Sequence, residues 1–496
     1  MPIIGHWIDG HTTAAEQTAT QAVFNPATGQ EIARVALGDA DDAARAIASG
    51  QAAFAQWSDQ SLARRAQVLF RFRDLLAANA EALARVITRE QGKVLSDARG
   101  EVSRGREVVE FACGLPSQLA GSFSDQAASG IDVFTTREPL GVVAGITPFN
   151  FPVMVPLWMS PLAIAAGNTF LLKPSERDPS ASLLLADLWR QAGLPDGVFN
   201  VLQGSKDAVE AILAHPDVQA VSFVGSTPVA RLIHQTASAN GKRVQALGGA
   251  KNHAVVLADA NLEDAANQLA AAAFGAAGER CMALSVAVVE ESVADQLLDQ
   301  LIAKARAVKV APGDHPGAEM GPVITRQAKD RIEALIGSAQ AEGARLALDG
   351  RGYQVEGFAE GFFVGPTVID DASPDQAIYR EEVFGPVIAV VRVAGLDQAI
   401  DLVNASPYGN GTAIFTQSGG AARRFRRRVH VGMIGVNVPI PVPVAWHSFG
   451  GWKDSLFGQS HIYGPEGFAF YTRAKVVTER WPAGASAASY HFTAEP

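Results

Sequence analysis

Cys281, in FGAAGERCMALS, is the residue best placed for nucleophilic chemistry. A thiol reacts as its thiolate, so it needs access and a lowered pKa, and the neighbouring Arg280 brings a favourable charge. Asn150 lies between two phenylalanines in ITPFNFPVMVPLWMSPL, and its amide NH2 can donate to an oxyanion forming on a carbonyl. Lys173 and Glu176, in FLLKPSE, can hydrogen-bond a ribose beyond the end of a parallel strand. Gly225 and Ser226, in FVGSTPVARLI, open a helix whose first N–H groups can hold a pyrophosphate. The pattern is not GxGxxG, since Ala230 fills the third glycine position. Glu382 and Phe384, in REEVFGPV, precede a strand.

These side chains need an α/β frame. From Asp39 to about Ala112 the pattern is helical, opening on an acidic first turn. From about Ala144 short β-rich runs (VVAGI, NTFLLK, FNVLQG, AVSFVG) alternate with helical segments, which predicts βαβ units and a parallel sheet. A second series (HAVVLAD, SVAVVE, GFFVGPTVID, VIAVVRV) predicts a second α/β domain. SGIDVFTTREPLGVV reads as a hairpin arm and FAFYTRAKVVTERW as a strand in the tail, together fit for an intersubunit sheet. The final PAGASAASY is expected to be loosely ordered.

At about 150 residues per domain, 496 residues predict about three domains. With 48% hydrophobic residues and a net charge of −10, the chain is globular and a poor partner for nucleic acid or an anionic membrane. RRFRRR at 423–428 reads as the basic face of one surface helix. Two cysteines, with no CxxC or HExxH, predict neither a disulfide framework nor a metal site, and suit a reducing compartment. Phe151–Leu172 is apolar but carries three prolines, and reads as a buried turn and helix. The N-terminus has no signal-peptide pattern, so a cytoplasmic location is expected.

Together PFNFP, KPSE, FVGST, GERC and EEVFGP resemble the NAD-dependent aldehyde dehydrogenase superfamily over nearly the whole chain. GGAKNHAVVLADAN, ERCMALS, GVNVPIPVPVA and GGWKDSLFG…HIYGPEG resemble its CoA-acylating methylmalonate-semialdehyde dehydrogenase branch. The resemblance implies an α/β fold: a Rossmann-type NAD domain (1–121 and 140–246), an α/β catalytic domain (247–462), and a small β oligomerisation element (122–139 and 463–496). It implies a homodimer or homotetramer.

It also implies roles. Cys281 attacks the aldehyde, and Asn150 with the Cys281 N–H forms the oxyanion hole. Lys173 and Glu176 hold the adenosine ribose, and Glu176 disfavours the 2′-phosphate of NADP. Gly225 and Ser226 lie at the pyrophosphate, Glu382 at the nicotinamide ribose, and Phe384 at the nicotinamide.

One departure is informative. Hydrolytic members carry a glutamate base in an ELGGK-like motif, whereas this chain reads QALGGAKNH, with Leu247 at that position and Ala246 beside it. Neither takes a proton, so water attack on a thioester should be slow. A thiol needs less help, which favours coenzyme A as acyl acceptor. Arg104 and Arg280 resemble the branch's carboxylate-binding arginines, since a planar fork can pair both oxygens. Arg106, two positions on, faces elsewhere. The implied substrates are methylmalonate and malonate semialdehydes, giving propanoyl-CoA and acetyl-CoA with loss of CO2. The alternatives are a hydrolytic aldehyde dehydrogenase, with Lys251 the one candidate base if neutral, and a silent NAD-binding relative.

Overall fold

The computed structural model describes residues 1–13, 19–482 and 484. Its first large sheet has eight strands. Five run parallel, in the spatial order Arg243–Leu247, Val218–Val224, Val142–Ile146, Thr169–Lys173, Phe199–Val201. In chain order that is 5-4-1-2-3, the doubly wound arrangement, with its switch point between Val142–Ile146 and Val218–Val224. Antiparallel strands close both edges: His6–Ile8 and His11–Thr13 on one side, Leu456–Phe457 on the other. Leu456–Phe457 thus returns to the first sheet from the stretch expected to be catalytic.

The second sheet has seven strands in the order Arg345–Leu348, Thr367–Asp370, Val387–Val393, Leu284–Glu290, Asn252–Val256, Gly411–Phe415, Met433–Val436. All pairs are parallel except the first. Buried Val, Ile and Ala fill its central strands, as a sheet covered on both faces requires. The arm, Phe123–Ala128 and Ile131–Pro139, pairs with the tail strand Thr472–Arg480 in a separate three-stranded sheet.

Helices cover both sheets. The acidic start after Ala36 is a capping box: Asp39 accepts from the N–H of Asp41 and Asp42, and Asp42 accepts from the N–H of Asp39. Helix Met154–Ala165 is buried along its whole length and packs on helix Leu95–Cys113, so the apolar stretch with three prolines is a core helix. No helix of the described residues is long and apolar enough to cross a membrane. In RRFRRR, Phe425 is buried while Arg424 and Arg428 both pair with Asp397 on the surface.

One expected element differs. FAFY is not strand: Gly464–Phe470 is a helix that buries Phe468 and Phe470. Four residues carry too little periodicity to separate the two states, and Pro465 at the first turn favours the helix. PAGASAASY lies outside the described residues apart from Pro482 and Gly484.

Candidate active site

The two sheets meet end to end. Asn150, Lys173, Gly225 and Leu247 stand at or just beyond the carboxyl ends of first-sheet strands. Asn252, Cys281, Glu382 and Asn410 stand at the amino ends of second-sheet strands. The Asn150 amide crosses the junction and donates to the Glu279 carbonyl at 3.0 Å, two residues before Cys281. Its second N–H remains available as a donor.

Cys281 is half-buried in a cleft that Arg280, Asn252, Ala250, Glu382 and Phe384 also line. The Asn252 and Asn410 amides both donate to its main-chain carbonyl, at 2.9 and 3.1 Å. Asn252 in turn accepts from the Gly411 N–H at 3.0 Å, so the two amides tie the Cys281 backbone to two strand starts. The chain approaches Cys281 through Ala276 and Ala277 with φ 49° and 53°, a region L residues rarely occupy. Burial pushes the Cys281 thiol up to about 12, Glu382 adds to it, and Arg280 opposes it least of all. The expectation that Arg280 makes this thiol acidic is therefore corrected, because desolvation outweighs one neighbouring cation.

Glu382 accepts from the Ala250 N–H at 3.0 Å, and burial pushes its carboxyl up to about 7. Lys251 fixes the segment before it, donating to the carbonyls of Ile378 and Glu381 at 2.7 and 2.8 Å. Burial lowers the Lys251 ammonium to about 7, but both contacts hold it as a strut. Phe384, at φ 52°, meets Phe149 edge-on at 5.8 Å and so joins the PFN and EEVFGP segments.

Lys173 and Glu176 pair at 3.2 Å beyond strand Thr169–Lys173. Burial works to raise the Glu176 carboxyl, but Lys173 and the local N–H groups outweigh it and leave it lowered. Ser226 caps helix Thr227–Ala239 without a side-chain hydrogen bond, so the N–H groups of its first turn, Pro228 having none, are open to an anion. An ammonium, a carboxylate and a helix start at a switch point form a donor set that fits a dinucleotide.

The two arginines separate. Arg104 pairs with Glu107 at 2.8 Å, donates to the Val442 carbonyl at 3.2 Å, and lines a small cavity with Met154, Trp158 and Tyr463. Tyr463 lies within electrostatic reach of both Arg104 and Cys281, and its hydroxyl donates to the Pro443 carbonyl at 3.0 Å. Arg280 instead pairs with Asp97 at 2.8 Å and borders a neighbouring cavity of about 580 Å³ as well as the cleft. Arg106 pairs with Glu110. Leu247 is buried in an apolar cluster that includes Met282 and borders Leu456.

Sequence reasoning missed Lys93, Glu101, Asp97, Asn252, Asn410 and Tyr463. The buried Lys93 ammonium donates to Glu101 at 2.7 Å and to the Asn150 carbonyl at 2.6 Å. Glu101 accepts from the N–H of Val153 and Met154 at 2.8 and 3.1 Å, anchoring the next helix start. For Lys93, Asp97 and Glu101 the one sequence signal is charge within a helical region, which usually marks a solvated face. Among the described residues, no group of three His, Cys, Asp or Glu is placed to hold a metal.

A thiol beside an amide donor, between a doubly wound sheet and a second α/β sheet, defines the class. The chain belongs to the aldehyde dehydrogenase family, which matches residues 12–477. More particularly, it is 52% identical over 493 residues to the malonate-semialdehyde dehydrogenase of Pseudomonas aeruginosa, covering 99% of each chain. It is similar in structure to a putative methylmalonate-semialdehyde dehydrogenase from Sinorhizobium meliloti 1021 solved with NAD, at TM-score 0.97 and 49% identity, covering 98% of this chain and 99% of that one. It is likewise similar to the methylmalonate-semialdehyde dehydrogenase of Oceanimonas doudoroffii, at TM-score 0.96 and 53% identity, covering 98% and 99%.

Proposed function

We propose that this enzyme oxidises malonate or methylmalonate semialdehyde with NAD and passes the acyl group to coenzyme A, releasing the substrate carboxylate as CO2. The names of its relatives supply the substrate class. The acyl-transfer half rests on Leu247, aliphatic and buried where hydrolytic members keep their base.

Cys281 adds through sulfur to the aldehyde carbon and gives up its proton to solvent water as the C–S bond forms. The second N–H of Asn150 and the N–H of Cys281 receive the oxyanion. NAD, when bound, accepts the hydride that leaves that carbon. Lys173 and Glu176 hold its adenosine ribose, Gly225 and Ser226 its pyrophosphate, Glu382 and Phe384 its nicotinamide end. Cys281 then carries the acyl group as a thioester. The coenzyme A thiolate attacks this carbonyl, its C–S bond forms as that of Cys281 breaks, and Cys281 leaves as thiolate. In the decarboxylation the bond to the carboxylate breaks and its electron pair passes into the thioester carbonyl, after which carbon takes a proton.

Arg104 receives the substrate carboxylate at the small cavity it lines with Tyr463, and Arg280 borders the Cys281 cleft. Residues 1–121 and 140–246 serve NAD binding, 247–462 catalysis, and 122–139 with 463–496 assembly into a homodimer or homotetramer. Phe123 and Val476, both largely exposed on the arm sheet, support the last assignment.

The test is NADH formation from both semialdehydes, with and without coenzyme A. A stoichiometric burst without it and sustained turnover with it are expected. Equal turnover without it would leave a hydrolytic enzyme.

A further inference from the structure

Asp97 begins helix Leu95–Cys113, far from Cys281 in sequence, yet one of its oxygens makes two contacts at the approach to the thiol. Its Oδ2 forms an ion pair with Arg280 Nη2 at 2.8 Å and accepts from the Ala276 N–H at 3.1 Å. Ala276 and Ala277 form the left-handed turn that delivers Cys281, and such a turn persists only where the surroundings hold it. Gly275 completes the unit: a Cβ there would lie 2.6 Å from Arg280 Nη1, so any other residue would push the guanidinium off this chain. Arg280 lines both the Cys281 cleft and the neighbouring cavity, and its charge is already partnered on the cavity side, where Asp97 and Gly275 also lie. Both side chains are half-buried, so the pair is only partly screened by water.

We propose that Asp97 is a positioning and specificity-determining residue: through Ala276 it fixes the turn before Cys281, and through Arg280 it sets how strongly the cleft attracts a carboxylated aldehyde. The second half rests on the substrate reading above. In the parent enzyme an incoming carboxylate competes with Asp97 for Arg280. In Asp97→Asn, Arg280 has only the substrate to pair with.

Two variants separate these effects. Asp97→Asn keeps an oxygen for the Ala276 N–H and loses the charge, whereas Asp97→Ala loses both. Each is assayed on malonate semialdehyde and on propanal, and Cys281 is alkylated with iodoacetamide. The expected result for Asp97→Asn is a KM for malonate semialdehyde lowered about 3- to 10-fold, with the KM for propanal unmoved. For Asp97→Ala it is a kcat lowered on both aldehydes by about 10-fold, and an alkylation rate changed by a similar factor relative to Asp97→Asn. Variants that match the parent enzyme on both aldehydes and in alkylation overturn the proposal. A parent enzyme with no preference for malonate semialdehyde over propanal sinks the substrate reading and the specificity half with it. The positioning half then stands on alkylation that differs between Asp97→Ala and Asp97→Asn, and falls if the two rates are equal.

Discussion

The ammonium of Lys93 holds the main-chain carbonyl of Asn150 at 2.6 Å, and so ties the proposed oxyanion donor to a buried ion pair with Glu101. Lys93 also sits 4.2 Å from the centre of the Phe151 ring, so it contacts two successive residues of the PFNF turn. Both charged groups are almost wholly removed from water. Such a pair is costly to break on one side, because the partner left behind is a bare buried charge.

Lys93→Met should therefore destabilise the protein by about 3–5 kcal/mol and lower kcat by releasing Asn150. Lys93→Met with Glu101→Leu should regain part of the stability, since no unpaired charge remains, but not the kcat. Thermal denaturation and NADH formation, on the single and double variants, check this. A single variant as stable as the parent would show that the pair contributes nothing net.

Leu247 lies in an apolar cluster on the strand that ends at the cleft. A carboxyl introduced there would be desolvated, and its pKa would rise toward neutrality, where a general base works best. Leu247→Glu should raise turnover without coenzyme A at least about tenfold, toward the range general-base catalysis supplies. It should also lower stability, as burying a carboxylate does. Steady-state NADH formation without coenzyme A measures it. Unchanged turnover would mean that water is excluded from the thioester by shape rather than by lack of a base.

The sequence shows the strands and the chemistry-bearing turns because both are local. Strand Val142–Ile146 is a run of buried residues bounded by turns, and the segments around Asn150, Lys173, Gly225, Cys281 and Glu382 are short and ordered. What it hides is long-range. Asn410 reaches the carbonyl of Cys281 across 129 positions, and Asp97 reaches Ala276 across 179. No local pattern marks an amide or a carboxylate whose partner comes from another element. Arg280 shows the reverse error: adjacency to Cys281 is legible, but its guanidinium turns to Asp97, and burial dominates the thiol.

Arg104 presents its fork beside Tyr463, with one edge on Glu107 and the other on a backbone carbonyl. Carbonyl contacts are readily exchanged for a carboxylate, which pairs more strongly. Arg104→Leu should cut kcat/KM for malonate semialdehyde at least about 30-fold, the scale of losing a charge-assisted pair of about 2 kcal/mol. Propanal should lose no more than a few-fold. Equal losses on both aldehydes would remove Arg104 from the carboxylate site.

The resting thiol gives the last prediction. Cys281 is pushed up to about 12, first by burial and then by the Glu382 charge, while the Glu382 carboxyl itself is pushed up to about 7. Below the thiol's pKa the thiolate fraction rises tenfold per pH unit, so iodoacetamide labelling of the cofactor-free enzyme should climb from pH 7 to 10 without a plateau. Glu382 is charged only above about 7, so its effect has a window. Below pH 6 its carboxyl is protonated, and Glu382→Gln should label like the parent. Above pH 8 the parent bears a carboxylate that holds the thiol up, and Glu382→Gln should label several-fold faster. The two rate profiles should therefore coincide in acid and diverge through neutrality. A parent plateau near pH 8 would mean that burial does not govern this thiol. Profiles that stay parallel at every pH would mean that Glu382 does not act on it through charge.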